Sequence, residues 1–220
     1  MSLRSREFRY ETKIPLQKDQ FVHFENALKS LGLYPKRVYN DREVHSVYLD
    51  TPQFTSYIDN VSGASNRVKV RFRYYDKDIE NLRFEYKLKN NKASTKSVIE
   101  IKNEEKLDIR EKENLKRLLS REKDIPKEIL SLYPVLEVSY KRSYFTLDKL
   151  IRMTVDKEIR YRKLYPLKHS SFVPSPVYCV IEFKYPVEMQ REFKKLLYNL
   201  PFRIFRHSKY VIGMDTVCVI

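Results

Sequence analysis

Between Arg67 and Arg73 the chain sets a cation at every second position, Arg67, Lys69, Arg71 and Arg73, with Val68, Val70 and Phe72 between them and Tyr74 after. Side chains alternate across a strand, so this spacing puts four cations on one face and the apolar residues on the other. The pattern returns as Arg83, Glu85, Lys87 and Lys89 against Leu82, Phe84, Tyr86 and Leu88. It returns again as Lys96, Glu100 and Lys102 against Ser97, Ile99 and Ile101, with Val98 on the polar side. Like charges facing each other in neighbouring strands repel, so a face this basic suggests that an anion lies on it. The residue types suit phosphate: Arg forks hold its oxygens bidentately and Lys adds point charge. Carboxylates placed among the cations, Glu11, Glu85, Glu100, Asp156 and Glu182, are candidates to hold a divalent metal beside them.

Composition narrows the partner. In 220 residues, 44 Lys and Arg stand against 29 Asp and Glu, a net charge of +15. Such a field leaves nucleic acid, anionic lipid and polyanionic metabolites as candidates. With three glycines, neither a Walker loop nor a dinucleotide fingerprint can be built, so any nucleotide is held by side chains. A nucleic-acid platform needs exposed aromatics among the cations. Here Phe72, Tyr74, Phe84 and Tyr86 alternate to the opposite face, and no nucleic acid is expected. Two cysteines, Cys179 and Cys218, make neither a disulfide framework nor a zinc knuckle. His23, His45, His169 and His207 lack metal-ligand spacing, and only His207, beside Ser208 and Lys209, is placed to reach phosphate. No nucleophile constellation stands out. No apolar run approaches the roughly 20 residues of a membrane span, and the start lacks a signal peptide's apolar core. A soluble cytoplasmic protein is expected.

The positioning elements follow from periodicity. Residues 8–14 read as a strand, and 17–31 as a helix with Phe21, Phe24, Leu28 and Leu31 on one stripe, ended by Gly32. Residues 44–49 form a strand, with a helix start at Asp50-Thr51-Pro52. The basic strands make an antiparallel meander. A helix is expected at about 104–121, a short amphipathic piece at 126–132, strands at 135–147, 150–159 and 177–185, and a last helix at 188–200. With no linker or repeat, residues 1–220 read as a single α+β domain. A sheet with one apolar and one charged face can close on itself, giving a closed antiparallel β-barrel with a charged lumen and amphipathic helices packed outside.

Eight segments, in order, carry a family resemblance: Tyr10-Glu11-Thr12-Lys13; Val47-Tyr48-Leu49-Asp50-Thr51; Lys69-Val70-Arg71-Phe72-Arg73-Tyr74-Tyr75; Phe84-Glu85-Tyr86-Lys87 with Lys96; Tyr140-Lys141-Arg142; Ile151-Arg152-Met153-Thr154-Val155-Asp156; Val180-Ile181-Glu182-Phe183-Lys184; and Ser208-Lys209-Tyr210. Over nearly its whole length the chain resembles the VTC (vacuolar transporter chaperone) domain, the polyphosphate polymerase branch of the CYTH-like triphosphate tunnel metalloenzymes. The resemblance implies a β-tunnel in which Arg71, Arg73, Lys87, Arg142 and Arg152 act on the transferring phosphoryl group. Lys96, Lys209 and Ser208 would bind the phosphate chain and Glu182 would hold Mn²⁺ or Mg²⁺. Lys13, Lys69, Lys89 and Lys184 join the phosphate-binding set, and Glu11, Glu85, Glu100 and Asp156 remain possible metal or lumen carboxylates. Arg142 shares parity with Leu136, Val138 and Tyr140, so either a bulge intervenes or that strand's inward face is mostly apolar.

The implied activity is transfer of the ATP γ-phosphate onto growing polyphosphate. The alternatives are a module that only binds polyphosphate or another polyanion, and a triphosphatase. Triphosphatase and cyclase relatives begin with Glu, Glu and Lys at alternate positions; here Arg9, Glu11 and Lys13 stand there, and the added cation favours a long polyanion. No membrane segment is expected in the chain, so export of product would rely on a separately encoded membrane protein.

Overall fold

The computed structural model describes residues 9–90, 93–123, 125–147, 150–166 and 170–218. Its elements are β1 (Arg9–Leu16), α1 (Lys18–Ser30), β2 (Lys36–Asp50), α2 (Thr55–Ser62), β3 (Asn66–Tyr75), β4 (Asp78–Asn90), β5 (Ala93–Lys102), α3 (Lys112–Leu119), β6 (Tyr133–Thr146), β7 (Arg152–Lys163), β8 (Val173–Pro174), β9 (Cys179–Pro186), α4 (Gln190–Tyr198) and α5 (Lys209–Cys218). The chain divides into two compact units. One holds Met1–Arg42, Lys141–Glu158 and Pro176–His207; the other holds Glu43–Tyr140, Ile159–Ser175 and Ser208–Ile220.

In the first unit β1 pairs antiparallel with β9, and β9 with β7. Alternation along β1 buries Thr12, Ile14 and Leu16 and turns Glu11 and Lys13 to the opposite face. Helix α1 opens with a capping box in which the Gln17 N–H donates to Gln20 Oε1 at 2.9 Å, and Gly32, at φ +71°, follows its end. Its stripe places Phe24 and Leu28 in a core with Ile14, Met153, Ile181 and Phe183, closed by Phe193 and Leu197 of α4. Burying a Leu or Phe side chain stabilises by roughly 1.5–3 kcal/mol, which is why the apolar parity decides which face each strand buries.

The second unit carries the meander, with β2, β3, β4 and β5 paired antiparallel in that order. Val47, Leu49, Val70, Phe72, Leu82 and Phe84 form its core with Leu115, Leu118 and Leu119 of α3. Helix α5 packs within this unit so closely that a Cβ at Gly213 would stand 2.6 Å from Tyr161 Cδ1 and 2.7 Å from Leu136 Cδ2.

The expectation of a closed barrel does not hold. Hydrogen-bonded neighbours follow the open path β1-β9-β7-β6-β2-β3-β4-β5, with β8 on β7, so β1 and β5 are its two ends among the described residues. Alternation of period two is the same in an open antiparallel sheet and in a closed one, and carries no information on whether the end strands meet. The expected helix at 104–121 shrinks to α3. Asn103 takes the Leu107 N–H on Oδ1 at 2.9 Å and gives its amide to the Leu107 carbonyl at 3.0 Å, while Asp108 binds the Arg110 N–H at 3.0 Å. These local side-chain bonds compete with the helical ladder. Helix α5 was not expected at all. Among the described residues no helix is long and apolar enough to cross a membrane.

Gly213→Val should destabilise the fold by about 1–3 kcal/mol through overpacking. Thermal denaturation checks this, and a variant that melts with the wild type would show that α5 is not seated against Tyr161.

Candidate functional site

The meander's register builds the basic face. Lys69 lies opposite Lys87, which lies opposite Lys96; Arg71 lies opposite Glu85; Arg73 lies opposite Arg83. A row of three lysines across three strands is unfavourable unless something negative sits near it. One carboxylate in this unit answers several cations. Arg71 donates from Nε and Nη2 to Glu85 Oε2 at 2.8 and 2.5 Å and from Nη1 to the Tyr48 hydroxyl at 3.0 Å. Arg73 Nη1 and Lys96 Nζ stand 3.6 and 3.2 Å from the other Glu85 oxygen. Arg73 also donates to Ser46 Oγ at 3.3 Å and to the Tyr140 hydroxyl at 3.4 Å.

Helix α5 brings the remaining groups of this unit. Lys69 Nζ donates to Ser208 Oγ at 2.9 Å, and Lys209 Nζ lies 4.7 Å from the Tyr140 ring centroid. The helix is held by its next residue: Tyr210 stacks on Tyr48 at 5.0 Å and donates its hydroxyl to Asp50. Asp50, fully buried, also accepts the Thr51, Ser56 and Tyr57 N–H groups at 2.7, 2.8 and 3.0 Å, closing the start of α2. Strand β6 turns Leu136 toward Gly213 and Tyr140 toward Lys209, so a mostly apolar face on that strand has α5 as its partner.

Electrostatics in this unit favour negative charge. Burial opposes the charge of Glu85, yet Arg71, Arg73 and Lys96 hold its carboxyl down to about 2. Burial should raise a phenol, yet Arg71, Arg73 and Lys69 pull Tyr48 below the ordinary tyrosine value. Lys96 is lowered by burial and by repulsion from Arg71 and Arg73, in spite of Glu85.

In the first unit, Lys13 lies opposite Glu182 and Glu11 opposite Lys184 across β1 and β9, with Arg152 opposite Lys184 across β9 and β7. Lys184 Nζ is 2.9 Å from Glu182 and 3.9 Å from Glu11, and Lys13 Nζ is 2.7 Å from Glu11 and 3.6 Å from Glu182. Lys13 also donates to the His207 carbonyl at 3.1 Å. Burial and the Glu182 charge push Glu11 up, and Lys13 and Lys184 bring it below its ordinary value. Arg142 forks onto fully buried Asp156 at 2.6 and 2.7 Å.

The expected residues thus gather into two clusters, Lys69, Arg71, Arg73, Glu85, Lys96, Ser208 and Lys209 in one unit, and Glu11, Lys13, Glu182 and Lys184 in the other. Asp156 pairs with Arg142, Glu100 pairs with exposed Arg83 at 3.2 Å, and Lys87 and Arg152 are exposed. The Lys89 side chain and His169 lie outside the described residues. The hydroxyls of Ser46, Tyr48 and Tyr140 were not among the expected site residues. Their signal was register: Tyr48 lies opposite Arg71 and Ser46 opposite Arg73. Among the described residues, no group of three or more His, Cys, Asp and Glu side chains forms a metal cage. The pair Glu11 and Glu182 instead suits a small divalent ion, which takes one or two carboxylates and completes its shell with phosphate oxygens and water.

Glu85 predicts a pH dependence. Its folded value of about 2 lies below the ordinary 4.5, so the stability it contributes, on the order of 3 kcal/mol, is present above pH 4.5 and lost as pH falls toward 2. Glu85→Gln should lower stability at pH 7 and flatten that acid limb. Denaturant titrations between pH 7 and pH 2 check it, and parallel curves for variant and wild type would contradict it.

No curated protein matches the chain. The fold is similar to that of a protein from Pyrococcus horikoshii OT3, at 16% identity and a TM-score of 0.54 over 94% of this chain and 99% of that one. It is similar to a candidate adenylate cyclase from Vibrio parahaemolyticus, at 13% identity and a TM-score of 0.52 over 94% and 97%. A third likeness is to a candidate adenylyl cyclase from Hippeastrum with a dominant triphosphatase activity, at 12% identity and a TM-score of 0.60 over 95% of each chain. Residues 8–218 match the VTC domain model, the family whose motifs run through the sequence, and the chain belongs to the VTC domain family.

Proposed function

We propose that this VTC-domain chain binds linear phosphoanions and works as a polyphosphate polymerase-like phosphotransferase, moving the γ-phosphate of ATP onto a growing polyphosphate end. The observation that carries the reading is geometric: Arg71, Arg73 and Lys96 converge on the single carboxylate of Glu85, beside the cross-strand row of Lys69, Lys87 and Lys96. A phosphate chain supplies the missing negative charge.

The chemistry needs no covalent enzyme intermediate. A terminal oxygen of polyphosphate attacks the γ-phosphorus as the bond to the bridging oxygen breaks, ADP leaves, and the chain grows by one phosphate. Arg71 and Arg73 carry pre-set guanidinium forks for the equatorial oxygens, Lys69 and Lys96 add charge, and Ser208 and Lys209 orient the chain. In the other unit, Lys13 and Lys184 offer charge for phosphate oxygens and hold Glu11 below its ordinary value. Glu182, with Glu11, would hold Mn²⁺ or Mg²⁺, whose chemistry there is to neutralise phosphate oxygens.

The second reading is a triphosphatase, favoured by the activity of the Hippeastrum relative. Arg9, in place of a carboxylate, weighs against it. Incubation with ATP and Mn²⁺, with and without a short polyphosphate primer, separates the two: long chains plus ADP are expected. Arg73→Ala and Glu182→Gln should each lower the rate on the order of 10²- to 10³-fold. Orthophosphate without chains would replace the proposal with the second reading, and polyphosphate binding without turnover would leave a binding module.

A further inference from the structure

The first unit holds a cavity that neither phosphate cluster uses. It is lined from β7 by Met153, Val155 and Lys157 and from β6 by Lys141, Ser143 and Phe145. Arg152, Thr154 and Asp156 alternate to the other face of β7. Helix α1 covers the cavity through Phe21, Phe24 and Leu28. Its volume, about 480 Å³, falls within the range of roughly 300–1,000 Å³ usual for small-molecule sites.

The cavity is amphipathic. Phe24, Leu28, Met153 and Val155, each no more than 4% exposed, form an apolar floor. Two cations stand on its aromatic walls, Arg37 5.4 Å from the Phe145 centroid and Lys157 3.8 Å from that of Phe21. Lys29 and Lys141 are exposed beside them. The lining carboxylates are Glu25, Asp41 and Glu158, fewer by one than the cations. Asp41 is already paired with Arg37 and bonded by Ser143, and Glu25 lies one helical turn from Lys29. Glu158 is held at φ +54°, a strained backbone for a side chain of this kind and one that occurs at ligand clamps.

We infer that this cavity binds an amphipathic anion, a carboxylate or phosphate monoester on a hydrocarbon tail. The tail lies on Phe24, Leu28, Met153 and Val155, and the head meets Lys141 and Lys157. A free fatty acid and an anionic membrane lipid share this chemistry. The site is independent of the phosphotransferase reading, since its residues lie outside both phosphate clusters.

Methionine methyls labelled with carbon-13 report on it directly, because Met153 is in the floor and Met214 is in the other unit. Dodecanoate below its micelle limit should shift the Met153 methyl in a saturable way and leave Met214 in place. Phosphatidylglycerol vesicles form the second arm, and a shift with vesicles alone would identify a membrane lipid as the source. Lys141→Glu should weaken dodecanoate about tenfold, as expected for reversing one charge near water. Val155→Phe, which fills the floor, should abolish the shift while tripolyphosphate affinity is kept. No Met153 shift in either arm would overturn the inference, as would dodecyltrimethylammonium binding as tightly as dodecanoate.

Discussion

One buried carboxylate keeps the basic face of the second unit folded. Arg71, Arg73 and Lys96 all converge on Glu85, which is 5% exposed. Stripping one partner from such a group leaves charge buried without compensation, at a cost of several kcal/mol. Yet one carboxylate is less than these cations can use. The register also sets Lys69, Lys87 and Lys96 in a row from β3 to β5, and Arg71, Arg73 and Lys69 lower the Tyr48 phenol against its burial. The strands therefore fold with cations in excess of carboxylates on this face, which is the basis for proposing a phosphate chain as its ligand.

The aromatic hydroxyls turn that demand into geometry. Tyr48 fixes one nitrogen of Arg71, Tyr140 receives Arg73, and the ring of Tyr140 carries Lys209. The stack of Tyr210 on Tyr48 and its bond to Asp50 lock α5 against the sheet and the start of α2. An Arg fork held on several sides loses little freedom when an anion arrives, and this preorganisation is what electrostatic catalysis requires.

Alternation along β3 and β4 was legible in the sequence because its reason is local: every second residue must enter the core, so Phe72 and Phe84 are inside and Arg71 and Glu85 share the other face. Helix α1 was legible from its stripe and its glycine stop. Helix α5 was not, because Val211, Ile212, Met214 and Val217 leave no polar stripe to mark its period, and its glycine serves close packing on Tyr161. The closed barrel failed for a different reason. Closure is decided by which strands meet at the ends, and neither the residues of β1 nor those of β5 encode that in their period. Carboxylate roles depended on partners: Asp156 and Glu85 look alike in sequence, but one receives the Arg142 fork and the other gathers Arg71, Arg73 and Lys96.

On the proposed reading, the cations around Glu85 take a phosphoanion. Calorimetric titration of tripolyphosphate into the wild type and into an Arg71→Ala/Arg73→Ala variant, at equal ionic strength, tests it without requiring turnover. Saturable binding by the wild type and a loss of at least about a hundredfold in the variant are expected, the scale set by two charge-assisted contacts. Equal affinity in the two proteins, or no binding by the wild type, would contradict it.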